Sequence, residues 1–195
     1  KTYQVDIESM GLGLYGGADY SQGYRNRDGW LRGGTLGNAE ARLYLADQFI
    51  AMGLDVFVQG DYANVVAEWP GLVHPNDVYI VCAHYDTTSG DERPGGDDNA
   101  SGTAGVLEAA RVLTQYHADA TLRFIGFNAE EDWMLGSRYC QYRMESIAAA
   151  NVIGVINLDM ILRPGWDGAP LETIDLDIVT ADSAQCLAWV NTFVE

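Results

Sequence analysis

The second half of this chain alternates short, continuous apolar runs with segments of helical spacing, and no other feature restricts its fold as strongly. The apolar runs cover residues 78–83, 121–127 and 152–158. Strands that are apolar without interruption are buried on both faces, as in parallel sheets whose connecting helices pack against them. The pattern predicts an α/β domain with three layers, α/β/α, and a mixed, largely parallel central sheet.

Individual helices and strands can be assigned from spacing and from turn residues. Apolar residues recur at near-helical intervals over 38–52, and Gly53 supplies a C-terminal stop. Gly60 and Asp61 predict a turn between two short strands. The predicted order is helix 38–52, strands 56–58, 64–68 and 78–83, helix about 102–116, strand 121–127, helix about 134–149, strands 152–158 and 174–179, and helix 183–194.

Length and charge limit both the domain organisation and the partners. With 195 residues, of which 48% are hydrophobic, residues 1–195 are predicted to form a single domain. The formal net charge of -17 argues against nucleic acid and against anionic membranes as partners, because both require a basic surface. No apolar run reaches the roughly 20 residues that span a bilayer, so we predict no transmembrane helix.

The chain begins at Lys1 rather than at an initiator methionine. We therefore expect a secreted or extracellular protein whose signal peptide has been removed. The three cysteines, Cys82, Cys140 and Cys186, have no metal-binding spacing and leave the redox compartment open. We interpret Cys82 as a buried residue of a strand.

Polar side chains follow the ends of three predicted strands. His84 and Asp86 follow the first strand, Glu130 and Glu131 the second, and Asp159 the third. In open α/β sheets the ligand crevice lies beyond the carboxyl ends of the strands, so these side chains should meet at one edge. His84 and Asp86 also share one face of an extended chain, where the carboxylate can orient the imidazole.

Most of these residues also have an ordinary structural explanation. Adjacent acids are common on solvated loops, and a histidine before a turn is often only a loop residue. Asp98 precedes a helix for which Ser101 is the predicted N-cap, so it can simply belong to an acidic loop. Asp159 is harder to explain in this way, because a carboxylate at the end of a buried strand needs a partner or a solvated crevice.

A metal site would account for these side chains together. An imidazole combined with several carboxylates suits zinc, with manganese or cobalt as substitutes, and disfavours magnesium. A single zinc ion rarely needs so many carboxylates, whereas two zinc ions can share a bridging one. We therefore favour a two-metal site.

Four short segments, taken in chain order, carry a resemblance to a known enzyme family. They are His84–Asp86, Gly95–Gly102 (Gly-Gly-Asp-Asp-Asn-Ala-Ser-Gly), Phe127–Glu131 with Gly136 and Ser137, and Asn157–Met160. Together they resemble the dizinc aminopeptidases of metallopeptidase clan MH, of the bacterial leucyl type. The resemblance runs from about Gly34 to Asp182 and implies a zinc exopeptidase fold, phosphorylase/hydrolase-like, that lacks its C-terminal part.

The resemblance implies a set of zinc ligands in this chain. Asp98 would bridge two zinc ions. His84 and Asp159 would bind one of these ions, and Glu131 would bind the other.

The resemblance also implies the catalytic roles. Glu130 would be the general base, which takes a proton from the water that zinc activates and passes it to the leaving amine. Asp86 would support His84 through a hydrogen bond. A cis peptide bond is expected between Asp98 and Asn99.

The chain departs from the family pattern in one respect. The family has a further histidine ligand from a later loop, which completes the metal held by Glu131. Of the three histidines in this chain, His74 and His117 are expected at the opposite edge of the sheet, away from the metals. We expect that the chain is C-terminally incomplete and that a separate C-terminal fragment of the same protein supplies this histidine. A natural short variant with one well-held metal is the alternative.

The function predicted from these motifs is that of an aminopeptidase that removes N-terminal residues from peptide substrates. Carboxypeptidases, dipeptidases and glutaminyl cyclases of the same clan remain alternatives, because the residues that choose the substrate end cannot be identified. A non-catalytic, receptor-like domain of the same fold is the contrasting possibility. The intact set of motifs up to Asp159 favours the enzyme.

Overall fold

The computed structural model describes residues 36–88, 95–146 and 151–161. Within these ranges, helices and strands alternate much as the sequence predicts. The predicted strand 174–179 and helix 183–194 lie outside the described residues. The elements are α1 (Leu36–Ala51), β1 (Asp55–Gln59), β2 (Asn64–Trp69), β3 (His74–His84), α2 (Ala100–Leu113), β4 (Ala120–Phe127), α3 (Leu135–Ser146) and β5 (Asn151–Asn157).

The five described strands form one mixed sheet in the order β1-β2-β4-β3-β5. Strand β3 is parallel to both of its neighbours, β4 and β5. Strand β2 is antiparallel to both of its neighbours, β1 and β4. His84 pairs with Phe127, and Cys82 pairs with Asn157. The carboxyl ends of the three parallel strands therefore lie side by side at one edge, and the predicted mixed α/β sheet is confirmed.

Successive residues of each strand point to opposite faces of the sheet, and both faces are covered. On one face, Val65, Val81 and Phe124 pack with residues of α1 and α2. On the other face, Ile80 and Ile125 pack with residues that include Cys140 of α3. The predicted three-layer α/β/α arrangement follows directly from this alternation of buried side chains.

Gly53 ends the first helix as predicted. The helix ends at Ala51, Gly53 adopts a φ of 85°, and its amide donates to the carbonyl oxygen of Ile50 at 2.9 Å. A left-handed φ of this kind suits glycine because a side chain would collide with the backbone.

The predicted N-cap of the second helix is wrong. Because α2 begins at Ala100, the capping position falls on Asn99, whose side-chain oxygen accepts from the amide of Gly102 at 2.9 Å. Ser101 lies in the first turn instead, and its hydroxyl donates to the carbonyl oxygen of Asp97 at 2.7 Å. None of the described helices is both long enough and apolar enough to cross a membrane.

Candidate functional site

His84, the last residue of β3, lies at the centre of a cluster of carboxylates. Its side chain is only 4% exposed, and its Nε2 lies 3.2 Å from Oδ1 of Asp98. The same nitrogen lies 3.6 Å from Oδ1 of Asp159 and 3.9 Å from Oε2 of Glu130. Segments that follow β3, β4 and β5 thus converge on one imidazole, because these strands are parallel and in register.

Two overlapping groups of side chains have the composition and spacing of a metal site. Ligand atoms of His84, Asp98 and Asp159 lie within 4.8 Å of one another, and so do those of His84, Glu130 and Glu131. An imidazole nitrogen with carboxylate oxygens is a donor set that zinc accepts. The side chains of Asp98, Glu130 and Asp159 are about a third to a half exposed, so a cation can reach them from solvent. These residues therefore fit zinc.

The electrostatic environment of His84 favours a positive charge. Burial opposes protonation of the imidazole, but the carboxylates of Asp159, Asp86 and Asp98 outweigh it and raise the pKa of His84 to about 12. A proton and a metal cation compete for the same imidazole nitrogen, since only the neutral ring can bind a metal. The site therefore attracts cations of either kind.

The two adjacent glutamates have raised pKa values for related reasons. Burial raises the pKa of Glu131 to about 7, assisted by the negative charges of Asp98, Asp86 and Glu130 and opposed by His84. Burial likewise raises the pKa of Glu130, with the neighbouring aspartates acting in the same direction and His84 again opposing. Crowded carboxylates repel one another, and a metal cation would relieve this repulsion.

Asp86 connects the imidazole with the glutamates. Its carboxylate is fully buried, and Oδ1 lies 3.4 Å from Nδ1 of His84. Oδ1 also accepts from the amide of Glu130, and Oδ2 accepts from the amide of Glu131, both at 3.2 Å. One side chain thus faces the imidazole and also anchors the backbone that carries both glutamates.

The loop that leads to α2 is tied to the end of β5 through Asn99. The peptide bond between Asp98 and Asn99 is cis, as the resemblance implies. The buried Asn99 side chain donates from Nδ2 to the carbonyl oxygen of Leu158 at 2.9 Å, and its Oδ1 accepts from the amide of Met160 at 3.3 Å. These bonds hold the segments of Asp98 and Asp159 together beside His84.

A cavity of about 490 Å³ adjoins the cluster on the side of α3. His84, Glu130 and Asp159 belong to its lining. Its other walls are mainly apolar, and they include Ile80, Cys82, Phe127, Met134, Cys140 and Val155. The cavity places apolar, ligand-sized space directly beside the carboxylates.

The remaining histidines and the described cysteines lie outside the cluster. His74 begins β3, where it pairs with Ala120 at the amino end of β4, and His117 precedes that strand. Both histidines are therefore at the opposite edge of the sheet, as predicted. Cys82 is a buried strand residue, also as predicted, and burial raises the pKa of its thiol to about 12.

The loop that joins β4 to α3, residues 128–134, carries both glutamates and is called the glutamate loop below. Sequence reasoning missed three buried asparagines in or beside this loop, Asn38, Asn64 and Asn128. Asn128 lies directly between β4 and Glu130, and this position was a usable signal. Asn38 lies on α1 and Asn64 on β2, far from the motifs in sequence. Only the packing of those elements brings the three side chains together.

Comparisons with known proteins identify relatives of this chain. Residues 64–176 match the sequence pattern described as Peptidase family M28. The chain is 38% identical over 122 residues to Aminopeptidase YwaD of Bacillus subtilis (strain 168), covering 62% of this chain and 25% of that protein. It is 31% identical over 140 residues to a probable zinc metalloprotease of Pyrenophora tritici-repentis (strain Pt-1C-BFP), covering 63% of this chain and 29% of that protein. The chain thus spans about a quarter of the length of these curated relatives.

A solved structure supports the fold. LapB from Legionella pneumophila superposes with a TM-score of 0.61 over 71% of this chain and 40% of that chain, at 24% sequence identity. The family match covers more than half of the 195 residues and includes His84, Asp86, Asp98, Glu130, Glu131 and Asp159. The chain belongs to peptidase family M28.

Proposed function

We propose that this chain carries the catalytic centre of a zinc aminopeptidase that removes N-terminal residues from peptides. The observation that supports this most strongly is the convergence on His84 of Asp98, Asp159 and Glu130 from different parts of the sheet edge. The similarity over 122 residues to a protein named as an aminopeptidase, YwaD, also supports the proposal.

We propose that the cluster holds two zinc ions. Asp98 would be shared by the two ions, His84 and Asp159 would hold one of them, and Glu131 would hold the other. Each ligand comes from a segment that Asp86 or Asn99 anchors, so the donor atoms are held near one another before the metal binds. A further histidine for the metal of Glu131 would come from another part of the protein, because His74 and His117 lie at the opposite edge.

Glu130 is the proposed general base. When bound, zinc would polarise the scissile carbonyl group and make a water molecule more acidic. Glu130 accepts the proton of the attacking water on its carboxylate and delivers it to the leaving amine. Asp86 keeps the backbone of Glu130 in place while the proton moves.

The release of a chromogenic amine from an aminoacyl anilide tests the proposal. The protein that carries this chain should hydrolyse the substrate, and a chelator should abolish the reaction. Glu130→Ala should lower kcat by about 100-fold to 10,000-fold, because it removes the general base. Turnover at the wild-type rate in Glu130→Ala would exclude Glu130 as the base.

Related activities remain alternatives at the same site. A carboxypeptidase, a dipeptidase or a glutaminyl cyclase could use the same ligands, and a panel of blocked and unblocked peptides would separate them. A receptor-like domain without catalysis would differ more fundamentally. It should bind no stoichiometric zinc when zinc is supplied, whereas the enzyme should.

A further inference from the structure

The loop that joins β4 to α3 carries both glutamates and has an unusual backbone. Ala129, Trp133 and Met134 adopt positive φ angles of 54°, 66° and 60°, although none of them is glycine. Residues with side chains are disfavoured in this left-handed region. The loop therefore depends on its surroundings to keep the shape that presents Glu130 and Glu131.

A single buried side chain contacts both ends of this loop. Oδ1 of Asn64 accepts from the amide of Asn128 at 3.1 Å, where the loop begins. Nδ2 of the same side chain donates to the carbonyl oxygen of Gly136 at 2.9 Å, where the loop joins α3. Because one partner is a donor and the other an acceptor, an amide in this orientation satisfies both, whereas a carboxylate cannot.

Neighbouring amides extend this support. Nδ2 of Asn64 also donates to Oε1 of Gln59 at 3.0 Å. Asn128 accepts from Nδ2 of Asn38 and donates to the carbonyl oxygen of Tyr62, both at 2.7 Å. Asn38, Asn64 and Asn128 are all fully buried, where an unmade hydrogen bond is costly. The network therefore favours one arrangement of the loop ends.

The glutamates themselves are held from the other side. Asp86 accepts the amides of Glu130 and Glu131, so it fixes the middle of the loop, while Asn64 fixes its ends. A shift at either end would move both carboxylates relative to His84.

We propose that Asn64 is a positioning residue for Glu130 and Glu131, acting through the two ends of the loop. This role rests on the proposed function, since it assigns the glutamates to catalysis and zinc binding. Asn64 is not itself proposed to contact the substrate or the metal.

Asn64→Asp tests the proposal in the protein that carries this chain. The change keeps the size of the side chain and the acceptor for Asn128 but replaces the donor to Gly136 with an oxygen. We expect kcat to fall by about 10-fold to 100-fold with little change in KM, because a displaced catalytic group slows chemistry more than binding. We expect zinc affinity to fall by about 10-fold, as for other residues that orient ligands.

Amide hydrogen exchange across 128–136 provides a readout that needs no activity. Exchange there should be faster in Asn64→Asp than in the wild-type protein. Should the buried charge prevent folding, Asn64→Ala removes the same donor without adding a charge and is measured in the same way.

Thr121→Val is the matched control. Thr121 is buried near the amino end of β4, where its hydroxyl accepts from the amide of Gly71 at 3.1 Å and donates to the carbonyl oxygen of Pro75 at 2.8 Å. This variant also loses two buried hydrogen bonds, but far from the glutamates. It should lower the melting temperature without changing kcat, zinc affinity or exchange across 128–136.

The outcomes separate this proposal from the proposed function. Unchanged exchange, zinc affinity and kcat in the Asn64 variants would overturn the positioning role, as would equal losses in Thr121→Val. If the wild-type protein cleaves no aminoacyl anilide, the proposed function fails, yet exchange and zinc affinity still decide the role of Asn64.

Discussion

Asp86 is the individual side chain on which the arrangement of the cluster depends most. Its two oxygens serve the amides of Glu130 and Glu131, and one of them also faces His84. Asp86→Asn keeps the size but leaves one acceptor for two amides and removes the negative charge beside the imidazole. We expect zinc affinity to fall by about 10-fold to 100-fold, measured by competition with a chromogenic chelator.

Asp61→Asn serves as the control for Asp86→Asn, because Asp61 is an exposed residue of the turn between β1 and β2. It removes the same charge from the protein without touching the cluster. Equal zinc affinity in Asp86→Asn and wild-type protein would show that Asp86 does not orient the ligands.

Glu131 should make the zinc-free protein less stable as the pH rises. Its pKa is raised from 4.5 to about 7, so the folded protein holds this proton more tightly than the unfolded chain. The resulting stabilisation is complete below pH 4.5 and is lost as the pH rises through about 7. His84 acts in the same direction, because its pKa is raised from 6.5 to about 12.

Thermal unfolding of the zinc-free protein from about pH 5 to about pH 8 measures this effect. The melting temperature should fall across this range, and the fall should be smaller in Glu131→Gln, which cannot titrate. An equal slope in the two proteins would contradict the raised pKa of Glu131.

Among the helices, strands and loops, the junction between the glutamate loop and α3 leaves no room for a larger residue at Gly136. A Cβ atom at Gly136 would lie 2.0 Å from the carbonyl oxygen of Asn128 and 2.5 Å from Oδ1 of Asn64. Gly136→Ala should therefore lower the free energy of unfolding by about 1–3 kcal/mol, as measured by urea denaturation.

Gly96→Ala is the comparison for Gly136→Ala, because a Cβ atom there meets nothing within 4 Å. Its effect should stay within about 0.5 kcal/mol. Similar destabilisation by the two substitutions would show that the close approach at Gly136 is unimportant.

The strands of the sheet were predictable wherever burial left an apolar signature. The runs 78–83, 121–127 and 152–158 correspond to β3, β4 and β5. The structure begins β3 at His74 instead, because His74 pairs with Ala120 and Asp77 with Asn151. The side chains of residues 74–77 are exposed or only partly buried. Backbone hydrogen bonds leave no pattern in the side chains, so hydropathy alone could not find this extension.

The site was predictable to the extent that its residues follow strand ends or resemble a motif. His84, Asp86, Glu130, Glu131 and Asp159 were found in this way. The asparagine network was not, because Asn38, Asn64 and Asn128 come from three elements whose contacts depend on the packing of α1 against the sheet. Nor does spacing reveal that Asn99, rather than Ser101, caps α2.

At the scale of the whole molecule, the sheet, the family match and the acidic composition all favour a bound metal cation. The edge formed by the parallel strands brings carboxylates together around His84. The formal net charge of -17 attracts cations to the protein. We propose that this cluster is the zinc site of the M28 peptidase domain.

Anomalous diffraction at the zinc absorption edge, from crystals of the zinc-loaded protein, tests that claim most directly. We expect zinc at the cluster, with an ion about 2.0–2.2 Å from Nε2 of His84 and from carboxylate oxygens of Asp98 and Asp159. A second ion is predicted beside Glu131. An active protein whose zinc lies elsewhere, with none beside His84, would contradict it.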